Sequence, residues 1–251
     1  MISLSLIGIG SGNPERMTLA AIRALNATDI VLIPRKGEEK SDLAEVRRAI
    51  CAKHLSSATT RIVEFDLPVR EGLPADYAAT VDDWHDRIAH VWSQQIHTEL
   101  GQEGRVALLV WGDPSLFDSS LRIAARLKPK PTIDVVPGIT ALQELCAAHA
   151  IPLNEIGAPF LVTTGRKLRE RGWPGDADTV AVMLDGGTAF ETLDPEGLTI
   201  WWGAYLGMQG QMLVSGNLRE TSQQIVELRR KARAKHGWIM DTYILKRART
   251  A

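Results

Sequence analysis

Three short segments set glycine, proline and polar residues directly after an apolar run. They are Gly8-Ile9-Gly10-Ser11-Gly12-Asn13-Pro14, Trp111-Gly112-Asp113-Pro114-Ser115-Leu116 and Val136-Pro137-Gly138-Ile139-Thr140-Ala141-Leu142. Glycine removes side-chain bulk, so backbone N–H and C=O groups in such turns can meet a ligand closely. At the carboxyl ends of parallel strands they occupy the edge where open α/β sheets bind ligands. A site of this kind reads a purine-like or amino-acid-like molecule through main-chain contacts and needs little charge. The plainer use of Gly112-Asp113-Pro114 is a strand-to-helix turn, with Asp113 as helix cap and Pro114 as first helical residue.

Other chemistries find less support. A dinucleotide fingerprint needs Gly-x-Gly-x-x-Gly, and Asn13 stands at its third glycine. The second strand ends in Ile33-Pro34-Arg35, without the acidic residue that would hold a ribose. No Gly-x-Ser-x-Gly elbow occurs. The histidines (His54, His85, His90, His97, His149 and His236) show no ligand spacing, so no metal is expected. Cys51 and Cys146 lie in apolar helical patterns and read as small buried residues. A formal net charge of −1 argues against a general nucleic-acid binder.

The elements that would position these turns follow from periodicity. Strand-like and helix-like segments alternate through the first half, as in a parallel sheet with crossover helices. Strands are expected at Ile2 to Ile7, Ile30 to Ile33 (stopped by Pro34), Arg61 to Phe65, Val106 to Val110 and Ile133 to Val136. Between them, Thr18 caps a helix with Leu19, Ile22 and Leu25 inward, Ser41 opens one to His54, and Tyr77 to Leu100 forms a long one. A further helix runs from Thr140 to about Ala150. The second half carries strands at Phe160 to Thr164, Thr179 to Leu184, Thr199 to Tyr205, Gln211 to Val214 and Trp238 to Leu245. Glu220 to Lys235 is a polar amphipathic helix. Short connections there predict a mixed sheet.

A chain of 251 residues suits one large domain or two small ones of about 150 residues each. The hydrophobic content of 45% is enough for a sizeable core. Lobes of residues 1–117 and 118–251 are expected, joined near Leu116 to Pro131. No apolar run reaches the roughly 18 residues that span a bilayer, and Met1 to Ile9 lacks a basic lead, so a cytoplasmic location is expected.

Taken together, Gly-x-Gly-x-Gly-Asn-Pro, Val-x-x-x-Gly-Asp-Pro-x-x-Phe and Val-Val-Pro-Gly-Ile-Thr-Ala with the downstream Ile-Pro-Leu resemble the tetrapyrrole methylases over essentially the whole chain. The resemblance implies two α/β lobes with a cofactor cleft between them, the first sheet parallel and the second mixed. It implies a homodimer that uses S-adenosylmethionine, releases S-adenosylhomocysteine, and binds no nucleic acid and no membrane. Pro34 to Leu43, Val81 to His85, Leu161 to Arg166, Val182 to Gly186 and Trp202 to Gly207 point within the family to methylation of C1 of precorrin-5 with loss of acetate. Another precorrin, a ribosomal RNA ribose or a diphthamide precursor is the alternative acceptor. By motif position, Gly10, Ser11, Trp111, Gly112, Asp113, Leu116, Thr140, Ala141, Met183 and Gly207 would hold the cofactor. Basic Arg35, Lys36 and Arg166 would meet substrate carboxylates. Asp185 and His85 are the candidates for deacylation chemistry, although a turn role suits Asp185 at least as well.

Overall fold

Strands covered on both faces need apolar residues at consecutive positions, and the first half of the chain supplies them. The computed structural model describes residues 1–35, 41–68, 77–175, 177–237 and 239–248. The chain divides into two units, Met1–Thr140 and Ala141–Ala251. The first contains β1 (Ile2–Gly8), α1 (Leu19–Asn26), β2 (Ile30–Arg35), α2 (Ser41–His54), β3 (Arg61–Asp66), α3 (Tyr77–Leu100), β4 (Gly104–Val110), α4 (Ser120–Ala124) and β5 (Thr132–Val136). Its sheet runs β3-β2-β4-β1-β5 with every pairing parallel.

Register decides where the glycine turns emerge. Gly8 of β1 lies beside Val110 of β4, and Ile7 beside Val136 of β5. All three turns therefore leave the sheet at one level of one edge. Below them, Leu4, Leu6, Leu32 and Leu108 pack against Ile88, Trp92 and Ile96 of α3. On the opposite face Ile7, Val31 and Leu109 meet Ala21 and Leu25 of α1 and Ile50 and Cys51 of α2.

The second unit contains α5 (Ala141–His149), β6 (Leu161–Thr164), α6 (Gly165–Arg171), β7 (Thr179–Met183), β8 (Leu198–Ala204), β9 (Met212–Asn217), α7 (Leu218–His236) and β10 (Asp241–Arg247). The order is β6-β7-β10-β8-β9, parallel only between β6 and β7. Val180, Ile200, Trp202 and Tyr243 pack with Phe190 and with Leu218 and Ile225 of α7.

Several expectations need correction. The expected break after residue 117 falls too early, because β5 pairs with β1 and ties residues 118–140 to the first unit. Pro34 does not stop β2. Pairing to β4 already ends at Leu32, so β2 continues along β3 alone, an edge position that tolerates a missing donor. Leu19 is 73% exposed, since the inner stripe of α1 is Ala21 and Leu25. No helix starts at Pro114; Phe117 adopts φ +51, and α4 begins only at Ser120. Helix α6 escapes periodicity because Leu168 is its one large apolar residue. β9 extends to Asn217, its polar end held by pairing to β8 rather than by propensity.

Candidate functional site

The three turns of the first unit form a single backbone knot. Gly10 and Gly112 exchange both hydrogen bonds, with the Gly10 N–H donating to Gly112 O at 3.2 Å and the Gly112 N–H to Gly10 O at 2.8 Å. The Gly138 N–H donates to Oδ2 of Asp113 at 2.9 Å, which fastens the third turn to the second. Contact makes two of the glycines obligatory. A Cβ on Gly138 would lie 2.1 Å from Gly112 O, and one on Gly8 would lie 2.5 Å from Gly138 N. Conformation favours glycine at Gly10 and Gly112, where φ is +68 and +69. The Trp111 indole closes over Gly12, 2.7 Å from where a Cβ would stand.

The knot leaves polar capacity unused. Ser11 is 4% exposed, and its Oγ has no hydrogen-bond partner. A buried hydroxyl in that state is unusual, and it marks Ser11 as the polar group of the knot with capacity to spare. Asp113 is occupied instead. Oδ1 accepts from the N–H and hydroxyl of Ser115, and Oδ2 from Gly138. Burial raises the pKa of this carboxyl, but those bonds outweigh it and hold the group below its usual range. Asp113 is thus a brace between turns, not the helix cap that the sequence pattern implied. Leu116, whose N–H donates to Asp113 O at 3.2 Å, and Thr140 are half-buried.

The other expected cofactor positions belong to the second unit. Ala141 opens α5, half-buried Met183 ends β7, and Gly207 (φ +71) gives its N–H to Oε1 of Gln211 at 2.7 Å. Leu184, after Met183, is 64% exposed with φ +52.

Asp185 requires a correction. Its Oδ1 accepts from Arg169 Nη1 at 2.6 Å and Gly187 N–H at 3.1 Å, and its Oδ2 from Ala189 N–H at 2.8 Å and Tyr243 O–H at 2.9 Å. A carboxylate has about four acceptor sites, and all are filled. Burial raises its pKa, and these donors bring it below the ordinary value. Asp185 fastens strand ends and has no lone pair left for a water. A Cβ on Gly165 would lie 2.1 Å from its Oδ1, a close approach no local pattern discloses. His85, on α3, is 4% exposed with Nε2 unpartnered. Burial first, then the positive charge of Arg126, lowers its pKa below 6.5, so the ring is neutral at neutral pH.

Of the three expected substrate cations, Arg35 belongs to the first unit and Arg166 to the second. Arg35 ends β2, exposed and 2.9 Å from Asp66. Arg166 lies on α6, exposed, with Glu170 at 4.0 Å. Lys36 lies outside the described residues. Among the described residues, no three His, Cys, Asp or Glu side chains gather as a metal site, and no helix is long and apolar enough to cross a membrane.

A parallel sheet whose tips are joined through glycine backbone, in a chain that also carries a mixed sheet, defines the class. The chain belongs to the Tetrapyrrole (Corrin/Porphyrin) Methylases, whose sequence profile matches residues 3–222. It is 49% identical over 251 residues to "Precorrin-6A synthase [deacetylating]" of Sinorhizobium sp., covering 98% of this chain and 96% of that one. The crystal structure of a "putative cobalamin synthesis related protein (CobF)" from Corynebacterium diphtheriae superposes with TM-score 0.83 at 38% identity, covering 98% of this chain and 99% of that one. Uroporphyrin-III C-methyl transferase from Thermus thermophilus, solved in complex with S-adenosyl homocysteine, has TM-score 0.60 at 20% identity over 97% and 92% of the two chains. That last likeness speaks for the fold alone.

Proposed function

We propose that this protein transfers a methyl group from S-adenosylmethionine to C1 of precorrin-5 and releases acetate, forming precorrin-6A. The observation that carries this reading is the joined glycine knot with its unpartnered Ser11 hydroxyl, set at the edge of a parallel sheet. The near full-length likeness to a precorrin-6A synthase supplies the acceptor and the deacetylation.

The residues present fit the cofactor. Ser11 Oγ offers a donor and acceptor for the amino-acid part, Asp113 keeps the turns in register, and Gly10, Trp111 and Gly112 are assigned to the cofactor by motif position. Leu116, Thr140, Ala141, Met183 and Gly207 are assigned to the same ligand by their places in the family's motifs. Bound S-adenosylmethionine supplies a methyl already activated as a sulfonium. The chain's part is to align methyl and ring carbon, which for well-oriented pairs is worth about 7–11 kcal/mol. No strong base is needed for that step, in keeping with the saturated state of Asp185. Arg35, Lys36 and Arg166 are assigned to peripheral carboxylates. His85 is a neutral proton acceptor in the first unit and remains the candidate for the deacylation step.

The reading extends to a homodimer in the cytoplasm that handles a tetrapyrrole and no nucleic acid. Exposed Leu161 of the edge strand β6 and exposed Phe160 before it support the former, and the net charge of −1 supports the latter. Light scattering at micromolar concentration checks the dimer. Incubation with precorrin-5 and methyl-labelled S-adenosylmethionine tests the activity. Label enters the macrocycle and acetate appears in equal amount; label without acetate, or no label, overturns the assignment.

A further inference from the structure

The first unit holds a second feature that the cofactor does not use. A cavity of about 150 Å³ lies at the carboxyl end of β2, walled by Pro34, Leu67, Trp84, Trp92 and Ile123. Since a water takes about 30 Å³ in the liquid, it has room for about five waters. Arg47 of α2 and Asp118 are the charged residues in its lining.

Arg47 is held by the sheet. Pairing between β2 and β4 ends at Leu32 and Leu108, and the next carbonyl of β4, that of Leu109, accepts from Arg47 Nε at 2.9 Å. Nη1 donates to the carbonyl of Leu43 at 2.8 Å. Both acceptors are neutral. A guanidinium has five N–H donors, so three remain, Nη2 among them. Among the described residues Arg47 has no ion pair within 4.0 Å, and Asp118 acts on it only at longer range while its Oδ1 takes the Ser120 N–H. Desolvation by burial, partly opposed by Asp118, brings the Arg47 pKa down to about 10, so the group stays charged at neutral pH with no ion pair among the described residues.

A second observation points to the same ligand chemistry. Trp92 is 5% exposed, and its indole Nε1 has no acceptor. Its neighbour Trp84 places the equivalent N–H on Pro68 O at 3.0 Å. One cavity, lined also by Ser119 and Ser120, thus combines a fixed cation with spare donors and, in its wall, an indole whose closed-off N–H has no acceptor. A buried donor without an acceptor costs about 1–3 kcal/mol, which a ligand rich in acceptors would recover. The apolar walls suit a short aliphatic stem, and the fork of Arg47 suits a carboxylate.

We infer that Arg47 and Trp92 form a binding site for a short aliphatic carboxylate, and so a specificity determinant for the acceptor. The inference rests on the proposed function for its source, either a carboxyalkyl arm of the tetrapyrrole or free acetate. Two arms of one experiment distinguish these. The first titrates the ¹⁵N-labelled protein with sodium acetate and follows the indole N–H signals of its seven tryptophans, that of Trp92 assigned by Trp92→Phe. The second measures KM and kcat for precorrin-5 in Arg47→Met and Trp92→Phe.

A Trp92 signal that shifts saturably with acetate, and no longer shifts in Arg47→Met, identifies a site open to the free acid. A KM raised about tenfold to a hundredfold in Arg47→Met with kcat kept identifies the substrate arm, as loss of one charged hydrogen bond implies. Trp92→Phe removes the N–H together with part of the buried indole, so its smaller rise in KM counts as recognition when the unfolding midpoint and S-adenosylhomocysteine affinity show the fold intact. A flat titration together with unchanged KM in both variants overturns the inference. An acetate-sensitive Trp92 in a protein that transfers no methyl to precorrin-5 keeps the site and removes the proposed function. S-adenosylhomocysteine affinity stays at the wild-type value in both variants.

Discussion

Two knots tie strand ends in this molecule, and they differ in what they leave over. In the first unit, Gly10, Gly112 and Gly138 are joined mainly through backbone, and Ser11 Oγ is buried without a partner. In the second, Asp185 gathers Arg169, Gly187, Ala189 and Tyr243 onto one carboxylate, while its own carbonyl takes Nη2 of Arg229 at 2.8 Å. Both knots use a glycine that approaches within 2.1 Å of its neighbour once a Cβ is added. One knot retains unused donors and acceptors; the other is closed. Unspent hydrogen-bonding capacity, rather than burial or the presence of a carboxylate, separates the site from the scaffold here.

The largest test of this contrast places a methyl in each knot. Gly138→Ala drives its Cβ onto Gly112 O, and Gly165→Ala drives its own onto Asp185 Oδ1. Each is expected to cost about 3 kcal/mol, the upper part of the overpacking range. Only Gly138→Ala should also weaken S-adenosylhomocysteine binding, by more than about tenfold. Denaturant midpoints and calorimetry on the folded fraction check both. Equal losses of affinity would break the contrast, and wild-type behaviour of Gly138→Ala would remove the knot from the site.

Next in size is Asp185→Asn. The amide has two donors where four donors already point, so about 2–3 kcal/mol of stability should go. Methyl transfer and acetate release per folded molecule should stay within about threefold. A loss of acetate release with methyl transfer intact would return Asp185 to the chemistry.

Protons read the two units in different ranges. Burial, opposed by Arg229 at 2.8 Å, pushes the Asp241 carboxyl up to about 6. Its neutral form is favoured in the fold, so its contribution is full below 3.8 and is lost as pH rises through about 6. Asp113 and Asp185 are shifted the other way; their contributions are present above 3.8 and are lost as pH falls below it. Asp241 should therefore add about 1 kcal/mol of stability between pH 7 and 5, opposed by His85, whose lowered pKa works the other way, and stability should drop below about pH 4. Urea midpoints across that range check it. Asp241→Asn should abolish that gain between pH 7 and 5 and keep the acid drop.

Much of this arrangement is legible in the sequence, for identifiable reasons. The buried parallel strands are continuous apolar runs, and Thr18 is a cap whose Oγ1 does accept the Ala21 N–H at 3.1 Å. The three glycine turns stand out because glycine after an apolar run signals tight backbone approach or positive φ, and both occur here. Their joining is not legible, since it depends on the register that brings Gly8 level with Val110. Long-range partners are also silent. Arg47 meets a carbonyl 62 residues away, and its helix alone presents it as one more surface cation. Asp185 looks like a reactive carboxylate until the donors from α6 and β10 are counted. Pro34 and Pro114 mislead for a common reason: each was read from local preference, where sheet pairing and the φ of Phe117 decide.

The smallest expected effect is the sharpest test of unspent capacity. Ser11→Ala deletes a hydroxyl that no protein group bonds, so removing it relieves a desolvated polar atom and leaves a space the size of one oxygen. Those terms oppose one another, and the unfolding midpoint should move by less than about 0.5 kcal/mol. Affinity for S-adenosylhomocysteine should nevertheless fall about fivefold, the cost of one neutral hydrogen bond of about 1 kcal/mol. Thermal unfolding with and without ligand reads both quantities on one sample. A destabilised apo-protein with unchanged affinity would show that Ser11 serves the fold, and the first knot would then be as closed as the second.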